Sequence, residues 1–399
     1  MRPTAPSRGR AKILYVLARY PSPSETFIAR EIQALSKRGV RITVYALRGR
    51  NDVRVDIPVF YRQDWPWRSI AGGFIASMLE RPKQTASAFA AVLAYWKRPV
   101  RLLKVLLNML RAIPMLDLAG REGIERVHAH FADVPTDVAL FIGRVNGCRV
   151  SFSAHARDVF TEPTGLVGKC RAADAVFACN EQAARRLAEL SGASTIHLIN
   201  HGLDFSDPLW GETYDSRRKA NESGALIPRP ARLLAVGRFI KKKGFHVLID
   251  ALYVLKQCSV EFECRIVGGG AERGRLSAQV IKRGLGQQVR LIDFKPLSSL
   301  AEEWRECDLL IQPSIIADDG DQDGIPNTII EALACGLPVV ATDLPQLREV
   351  IEHGNTGLLA VAGDPVSLAN TIRDALADRH KLLKMSEEGR RLVRARFDV

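Results

Sequence analysis

The sequence has little of what a membrane-spanning or disulfide-linked protein needs. Its longest apolar runs reach about ten residues, far short of the roughly 20 that a transmembrane helix requires. Its seven cysteines form no CxxC pair, and no apolar secretory run follows the basic, polar N-terminal stretch. We therefore expect no transmembrane helix, and we expect reduced thiols in a reducing cytosol.

Several catalytic signatures are also missing. The sequence contains no HExxH pair, no Walker loop, no GxSxG elbow and no zinc-type cysteine spacing. These absences count against zinc hydrolases, P-loop NTPases and α/β-type serine hydrolases.

Acidic residues are scarce relative to basic ones. The chain has 44 acids against 57 lysines and arginines, a formal charge of +13. Such an excess predicts an acidic partner, namely nucleic acid, an anionic membrane surface or a phosphorylated substrate. Aromatic residues make up only 7% of the chain and no known nucleic-acid motif appears, so we expect no nucleic-acid partner.

The sequence does contain a regular alternation of apolar β-type runs and helix-period segments. At 399 residues the chain exceeds one ordinary core, so we expect two domains. Strand–helix–strand order with short turns predicts an α/β protein with two Rossmann-like, doubly wound parallel sheets. The predicted strands are 12–18, 41–47, 126–131, 149–155, 175–180 and 195–200, then 232–239, 262–270, 288–294, 308–314, 337–343 and 356–360.

A polar stretch rich in proline and glycine, 206–230, interrupts this alternation and predicts a linker. We place the N-terminal domain at 1–215 and the C-terminal domain at 216–399. We expect the two domains to face a central cleft lined by the carboxyl ends of both sheets, where ligands bind.

Residues 65–116 carry eight lysines and arginines against one acid, Glu80. Their spacing predicts basic amphipathic helices, with leucines opposite a polar stripe. Such a helix can lie on an anionic membrane surface; the alternative is an ordinary helix whose leucines pack on the first sheet. The stripe consists of Lys97, Arg101, Lys104, Asn108 and Arg111.

An acidic stretch, DDGDQDGIPNTIIE, begins at Asp318. It matches the first half of a calcium loop, but the acid needed as the twelfth residue is Ile330. The Asp319-Gly320-Asp321 triplet also fits a metal-binding DxD, a motif that is common by chance. We therefore expect no metal here and interpret Asp318, Asp319 and Asp321 as a solvated turn.

The end of the same stretch predicts a helix N-terminus, with Pro326 in the first turn and Gly336 after the end. Free backbone N–H groups at Asp323, Gly324 and Ile325 would favour a phosphate or sugar oxygen. Glu331, two turns on, would accept hydrogen bonds from ligand hydroxyls. The alternative is that Asp323 caps the helix and that Glu331 is solvated.

Two further segments follow predicted strands of the second half. VGRFIKKKG places Arg238 and Lys243 at a strand end, where cations oppose the helix dipole unless they bind an anion. We expect Lys241 and Lys242 to be solvated. In VGGG, Gly268 and Gly269 would let the backbone approach a ligand.

Three segments of the first half are candidates for the acceptor side. SPSETF contains a predicted capping box of Ser22 and Glu25, with Pro23 at the first helical position. Its loop would face the cleft with Ser24, Glu25 and Thr26. His155 follows a strand and is either structural or a hydrogen-bond partner of the reaction centre. His128 and His130 share one strand face, but nothing nearby in the sequence completes a metal set.

Together these segments resemble glycosyltransferase family 4, a family of retaining, nucleotide-sugar-dependent enzymes with the GT-B fold. The resemblance covers nearly the whole chain and rests on YPSPSETFIAREIQAL, HAHFADVPTDVAL, FSAHARD, INHGLD, VGRFIKKKG, IVGGG and DGIPNTIIEALACGLPVVAT. The first two segments are most similar to the branch that builds bacterial exopolysaccharides, such as colanic-acid-type glycosyltransferases.

The resemblance implies a role for each matched residue. Arg238 and Lys243 match the basic pair on the donor diphosphate, and Glu331 matches the second glutamate of the E-x7-E motif, which binds the ribose. Asp323 stands where that motif has its first glutamate, and it is one methylene shorter. The implied catalytic residues are His155, Asp323, Arg238 and Lys243; the implied donor-binding residues add Gly268, Gly269, Gly324, Ile325 and Glu331.

The implied reaction is metal-independent transfer from a nucleotide sugar, without a cofactor, to a lipid-linked saccharide in exopolysaccharide synthesis. The protein would be cytoplasmic and peripheral on the inner face of the membrane, held through 65–116. The alternatives are a GT-B nucleotide-sugar epimerase and a basic nucleic-acid-binding protein.

Overall fold

The computed structural model describes residues 11–22, 25–49, 56–161, 165–192, 196–222 and 230–399. The described chain divides into two compact units. The first runs to Cys179 and includes Ala183–Ile199, and the second contains Asn180–Gln182 and the described residues from Asn200 to Val399. The boundary predicted near residue 215 therefore falls inside the second unit.

The first unit contains one seven-stranded sheet. Its strands are β1 (Lys12–Leu17), β2 (Arg41–Ala46), β3 (Val59–Tyr61), β4 (Arg126–His130), β5 (Arg149–Ala154), β6 (Ala175–Ala178) and β7 (Ile196–Leu198). Its helices are α1 (Thr26–Lys37), α2 (Trp67–Glu80), α3 (Pro82–Ala90), α4 (Pro99–Glu122), α5 (Val134–Asn146), α6 (Ala156–Phe160), α7 (Leu166–Ala172) and α8 (Glu181–Ser191).

The order of this sheet is β3-β2-β1-β4-β5-β6-β7, and every pairing is parallel. The order reverses between β1 and β4. In such sheets ligands bind beyond the carboxyl ends of the strands at this switch point. HAHF lies at the end of β4, and Glu25, Thr26 and Phe27 lie at the start of α1, the helix that follows β1.

Alternate residues of β1 enter different cores. Leu14 and Val16 belong to the larger cluster, and Tyr15 and Leu17 belong to the smaller cluster on the other face. A strand buried on both faces has apolar residues at nearly every position, and this continuous apolar run is the pattern that predicted β1. Each fully buried leucine contributes roughly 1.5–3 kcal/mol to folding.

The second unit contains a six-stranded sheet. Its strands are β8 (Ala231–Val236), β9 (Phe262–Val267), β10 (Val289–Ile292), β11 (Leu309–Gln312), β12 (Val339–Thr342) and β13 (Leu358–Ala360). Its helices are α9 (Pro208–Glu222), α10 (Phe245–Gln257), α11 (Arg273–Lys282), α12 (Leu297–Glu306), α13 (Asn327–Ala334), α14 (Pro365–Ala377) and α15 (Arg379–Arg396).

This sheet has the parallel order β10-β9-β8-β11-β12-β13 and reverses between β8 and β11. Two apolar clusters again cover its faces, with Leu233 in one and Leu234 in the other. The prediction of two doubly wound parallel sheets is confirmed, and all twelve predicted strands are present. The short strand β3 was not predicted.

The expected linker at 206–230 is wrong in its first part, because α9 occupies Pro208–Glu222. Arg217 on this helix is buried, and its guanidinium donates to the backbone oxygens of Trp304 and Cys307, each at 2.6 Å. Trp210 is also buried, in the core with Trp304. Residues 223–229 lie outside the described chain.

The amphipathic prediction for α4 is wrong for part of the polar stripe, although Lys97 and Lys104 are exposed as expected. Asn108 is buried and accepts a 3.0 Å hydrogen bond from Arg62. Arg101 faces inward, 3.3 Å from Asp133. Three apolar residues of the helix instead face outward: Val100, Leu103 and Leu107.

All seven cysteines are free thiols in the structure. Among the described residues, none of the helices combines the length and apolar character needed to span a bilayer.

Candidate active site

The loops that follow β8 and β11 lie side by side at the switch point of the second sheet. The backbone N–H of Ile315 donates to Lys242 O at 2.9 Å. Gly244 has a φ of +64°, and a Cβ there would lie 1.8 Å from Pro313 O, so this approach requires glycine. The segments VGRFIKKKG and DDGDQDG are thereby brought together.

Three successive lysines of the first loop bind three aspartates of the second in the same order. Two of these pairs are close and shielded from solvent, with N–O distances of 2.9 Å and 2.8 Å. The outermost pair is on the surface. The pairs are Lys241 with Asp318, Lys242 with Asp321, and Lys243 with Asp323.

Asp323 is the centre of a buried polar network. Its Oδ2 accepts from Lys243 and, at 3.0 Å, from the Ser314 hydroxyl, which in turn accepts from Gln312 at 2.9 Å. The Gln346 amide donates to Asp323 O at 3.0 Å. Burial alone would raise the pKa of Asp323, but the charges of Lys243 and Lys242 and the hydrogen bonds from Lys243 and Ser314 outweigh burial and lower it.

These contacts correct two predictions. Lys242 is not solvated: it is buried and also donates to Gln322 O at 3.1 Å. Asp321 is bound to Lys242 and only partly exposed, whereas Asp318 and Asp319 are exposed as predicted. The matched runs of lysine and aspartate were visible in the sequence, but their pairing depends on β8 and β11 being neighbours.

The glycine-rich loop after β9 packs on the loop after β8. A Cβ on Gly268 would lie 1.8 Å from Gly237 O, and the Phe239 N–H donates to Gly269 O at 2.7 Å. A Cβ on Gly269 would meet nothing within 4 Å. The aliphatic chain of Lys243 passes 3.3 Å from the Cβ position of Gly237, so the glycine loop and the lysine are close neighbours.

The helix α13 begins at Asn327, with Pro326 as its N-cap residue rather than in its first turn. Asp323 does not cap this helix, because its carboxylate binds Lys243 and Ser314. Glu331 is buried, which rules out a solvated face residue. Ile325 is buried and Gly324 is partly exposed, both in the segment that leads into the helix.

Arg238 is exposed just beyond β8. Within the described chain it forms no ion pair with a carboxylate. The structure therefore brings Lys243, Asp323 and the glycine loop together.

In the first unit, His155 lies at the carboxyl end of β5 and begins α6. The side chain is buried between Phe131 and Phe27, with ring centroids 4.3 and 5.2 Å away. Its backbone N–H donates to Asp158 Oδ2 at 2.9 Å, and the Ala132 N–H donates to the same oxygen at 3.0 Å. Burial raises the pKa of Asp158 to about 6, although these N–H groups oppose the rise.

The sequence did not identify the partner of the two strand histidines. Glu31 on α1 approaches His130, with 3.4 Å between Oε2 and Nε2, and ligand atoms of Glu31, His128 and His130 lie within 4.8 Å of one another. The expectation that nothing completes this set is therefore wrong. His130 Nδ1 is 3.3 Å from His155 Nε2, so the strand histidines and His155 form one cluster.

The described part of the segment predicted for the acceptor side lies beside this cluster. The helix starts at Thr26 with Glu25 as its N-cap residue, so the predicted capping box is wrong in register. Phe27, the next residue, packs on His155 and His130. Pro23 and Ser24 lie outside the described residues.

Two family models match the chain. One, described as "Glycosyltransferase Family 4", matches residues 24–207, and the other, described as "Glycosyl transferases group 1", matches residues 216–392.

Among curated proteins, the chain is similar to the amylovoran biosynthesis glycosyltransferase AmsK of Erwinia amylovora. They are 40% identical over 143 residues, or 36% of this chain and 35% of the relative. It is also similar to the putative colanic acid biosynthesis glycosyltransferase WcaL of Salmonella typhimurium, with 34% identity over 170 residues, or 43% and 42% of the two chains. The match thus spans less than half the length of these relatives.

Two solved structures resemble the whole chain. Anabaena Alr3699/HepE, solved in complex with UDP, is 19% identical with a TM-score of 0.68, covering 97% of this chain and 96% of that one. A glycosyltransferase from Rickettsia africae is 16% identical with a TM-score of 0.70, covering 98% and 95%. At these identities the likeness establishes a shared fold.

Proposed function

The chain belongs to the glycosyltransferases that join a family 4 domain to a group 1 domain, and from this premise we propose that it is a retaining enzyme that uses a nucleotide sugar. The observation that carries the proposal is the Lys243–Asp323 pair at the switch point of the second sheet. Structures that share the fold were solved with UDP and UDP-glucose, which supports a nucleotide-sugar donor.

In the proposed reaction, Arg238 and Lys243 bind the donor diphosphate. Arg238 is exposed and without a carboxylate partner in the described chain, so its guanidinium is available to fork onto phosphate oxygens. Both cations stabilise the negative charge that grows on the departing diphosphate. His155 lies beside the transferred sugar, and the acceptor attacks from the face that the diphosphate leaves.

Asp323 takes a supporting part in this scheme. Its carboxylate already binds Lys243 and Ser314, so it holds the lysine at the strand end. Gly269, Gly324 and Ile325 present backbone N–H groups to the donor, and Glu331 binds the ribose hydroxyls. Gly268 contributes by letting the backbone approach the donor, because its own N–H donates to Ile292 O at 2.9 Å. This scheme includes no metal ion, because Asp321, the second aspartate of the DxD triplet, binds Lys242 rather than a metal.

We further propose that the acceptor is a lipid-linked saccharide of exopolysaccharide synthesis, bound near Glu25 and Thr26. The names of the curated relatives, which refer to amylovoran and colanic acid, support this assignment.

The exposed surface of α4 supports a peripheral position on the inner face of the cytoplasmic membrane. Val100, Leu103 and Leu107 are 82%, 56% and 44% exposed, and their spacing places them on one helix face. Trp96, just before the helix, is 67% exposed. We call these four residues the apolar ridge.

Cations lie beside the apolar ridge. Lys97 is 5.3 Å from the Trp96 ring, and the side chain of Lys104 is half exposed. An apolar face with lysines beside it fits the boundary between the headgroups and acyl chains of an anionic bilayer. Each such cation contributes about 1 kcal/mol to binding.

A thermal-shift screen of nucleotide sugars, with and without EDTA, tests the donor assignment. We expect one nucleotide sugar to raise the melting temperature equally in both conditions, and we expect Arg238→Ala, Lys243→Ala and Glu331→Ala to lose most of the shift and most turnover. Lys241→Ala is the matched control, because Lys241 pairs with exposed Asp318. An EDTA-sensitive shift, or normal turnover by Lys243→Ala, would contradict the proposal.

A further inference from the structure

Three side chains of the first unit converge near the carboxyl end of β4. Glu31 belongs to α1, and His128 and His130 share one face of the strand. One possible ligand atom from each of them lies within 4.8 Å of the other two. Two imidazoles and a carboxylate are a donor set that binds Zn²⁺ and neighbouring transition metals in proteins.

The separation between Glu31 and His130 suits two ligands of one ion. Oε2 of the carboxylate and Nε2 of the imidazole are 3.4 Å apart. Two atoms that each lie about 2.05 Å from a tetrahedral zinc ion are roughly 3.4 Å from one another. Because no pair of atoms in the set is more than 4.8 Å apart, closing any pair around an ion requires a shift of at most about 1.4 Å.

The Nε2 atom of His130 is buried without a partner. The residue is 1% exposed, and within the described part of the chain this nitrogen takes part in no hydrogen bond. Its contact with Glu31 is therefore close without being a hydrogen bond. A buried polar atom that lacks a partner costs free energy. An ion between Nε2 and the carboxylate would satisfy both atoms.

The second polar atom of Glu31 and that of His130 already have neighbours. The Tyr15 hydroxyl donates to Glu31 Oε1 at 2.6 Å, and His130 Nδ1 lies 3.3 Å from His155 Nε2. Outer partners of this kind orient the ligands of metal sites. Burial would raise the pKa of Glu31, but the two strand histidines and the Tyr15 hydrogen bond outweigh burial and lower it. Glu31 is thus ionised, as a metal ligand must be.

His128 meets the same two requirements. Its Nδ1 and Nε2 lie 2.9 Å and 3.3 Å from the hydroxyls of Ser151 and Ser153. Whichever ring nitrogen binds an ion, the other keeps a serine as its outer partner. Burial, followed by the charge of His130, lowers the pKa of His128 to about 3. The ring is therefore neutral at physiological pH, and protons do not compete for its lone pair.

We propose that Glu31, His128 and His130 form a binding site for a divalent transition-metal ion, with Zn²⁺ as the expected occupant. Three protein ligands leave a fourth position for a water molecule or a ligand oxygen. The ion would join α1 to β4, beside the point where the order of the first sheet reverses. The side chain of Glu31 is 34% exposed, which gives the ion access from solvent. This site belongs to the first unit alone and goes beyond the proposed reaction, which includes no metal.

A Zn²⁺ titration of the full chain tests the proposal without any substrate. The protein is first treated with a chelator, which is then removed. Calorimetry should show one equivalent of Zn²⁺ bound, and the melting temperature should be higher with Zn²⁺ than with EDTA. Mg²⁺ at the same concentration should change neither result, because it prefers an octahedral set of oxygen ligands.

Substitutions in the site identify the ligands. Glu31→Gln and His130→Asn should each weaken Zn²⁺ binding by about 100-fold or more, because each removes a ligand. Tyr15→Phe keeps all three ligands and should weaken binding on the order of 10–100-fold through the lost outer partner. His380→Asn, which changes an exposed histidine of α15, is the matched control and should bind Zn²⁺ like wild type. Melting in EDTA checks that each variant folds, and Tyr15→Phe serves where a ligand variant does not.

Co²⁺ shows which atoms hold the ion. On imidazole and carboxylate ligands it should give visible absorption bands without the sulfur-to-cobalt band that thiolates produce. The proposal is overturned by absence of Zn²⁺ binding, by equal binding in wild type, Glu31→Gln and His130→Asn, or by a sulfur-to-cobalt band, which would place the ion on cysteines. A nucleotide sugar should raise the melting temperature by the same increment with and without Zn²⁺, so this site can fail while the proposed function stands.

Discussion

Lys241, Lys242 and Lys243 are adjacent in sequence but experience different environments. Lys241 binds an exposed aspartate at the surface, whereas Lys242 and Lys243 bind Asp321 and Asp323 away from solvent. A surface ion pair contributes little to stability, because water and salt screen it. A buried charge must keep its partner, because leaving it alone costs several kcal/mol.

This difference predicts the effect of Asp323→Asn. The substitution removes the carboxylate that Lys243 binds and that lies 3.8 Å from Lys242. We expect the free energy of unfolding to fall by roughly 3–5 kcal/mol, measured by urea denaturation at pH 7. Asp318→Asn, which changes a fully exposed partner, should be indistinguishable from wild type; equal effects of the two variants would contradict the buried-pair assignment.

The same pair predicts a pH dependence. The pKa of Asp323 is lowered in the folded protein, so its stabilising effect is present above the unfolded-state pKa of about 3.9 and is lost as pH falls through the folded value. The stability gap between wild type and Asp323→Asn should be constant from pH 5 to 8 and should narrow in more acidic solution. A gap that widens on acidification would reverse this sign.

At the scale of elements, α4 shows how tertiary contacts choose the face of a helix. Its polar stripe was expected outside, but Asp133 binds Arg101 and Arg62 binds Asn108. Arg111 stacks on Trp67 at 3.9 Å. These partners come from distant parts of the chain, so helical spacing alone could not indicate which side would be buried.

The exposed apolar residues of α4 change the prediction for membrane binding. Replacing both Leu103 and Leu107 with serine should abolish most co-sedimentation with anionic vesicles, because the apolar ridge supplies the inserted surface. Charge reversal of Lys97 and Lys104 should weaken binding chiefly at low salt.

Ile281→Ser is the control for this experiment, since Ile281 is an apolar residue on α11 that is even more exposed than the two leucines. If the leucine variant sediments like wild type while the lysine variant does not, the contact is electrostatic and the ridge is not inserted.

At the scale of the whole molecule, the sequence predicted both sheets and the strand ends that carry the site. Continuous apolar runs identify doubly buried strands such as β1 and β8, and the parallel order follows from the intervening helices. The pairing of Lys242 with Asp321 and of Glu31 with His130 was not predicted. Both pairs join loops or helices across a switch point, and no local pattern records which residues will meet there.

The polar composition of 206–230 predicted a linker where the structure has α9, again because the contacts that hold the helix come from distant parts of the chain. Two buried residues, Arg217 and Trp210, attach this helix to α12 and α13. The composition of a segment does not indicate such isolated contacts. Tyr214 approaches the Cβ position of Gly336 to 2.7 Å, which is possible only because that residue is glycine.

The position of α9 predicts where the second unit can be separated. A fragment of residues 200–399 should unfold cooperatively in urea, whereas residues 216–399, cut at the predicted boundary, should be much less stable. Loss of Trp210 alone should cost about 3–5 kcal/mol. Equal midpoints for the two fragments would show that the first half of α9 does not contribute to the unit.

The ordered lysine–aspartate pairs have a consequence for selectivity among anions. Arg238 and three lysines of the loop after β8 accompany four aspartates of the loop after β11, so these two loops together are close to electrically neutral before any ligand arrives. Inorganic phosphate and free nucleoside triphosphates, which are abundant in cells, gain little from such a surface by charge alone. A ligand must instead offer oxygens in the right places beside the Lys243–Asp323 pair, so discrimination depends on shape and hydrogen bonding more than on long-range attraction.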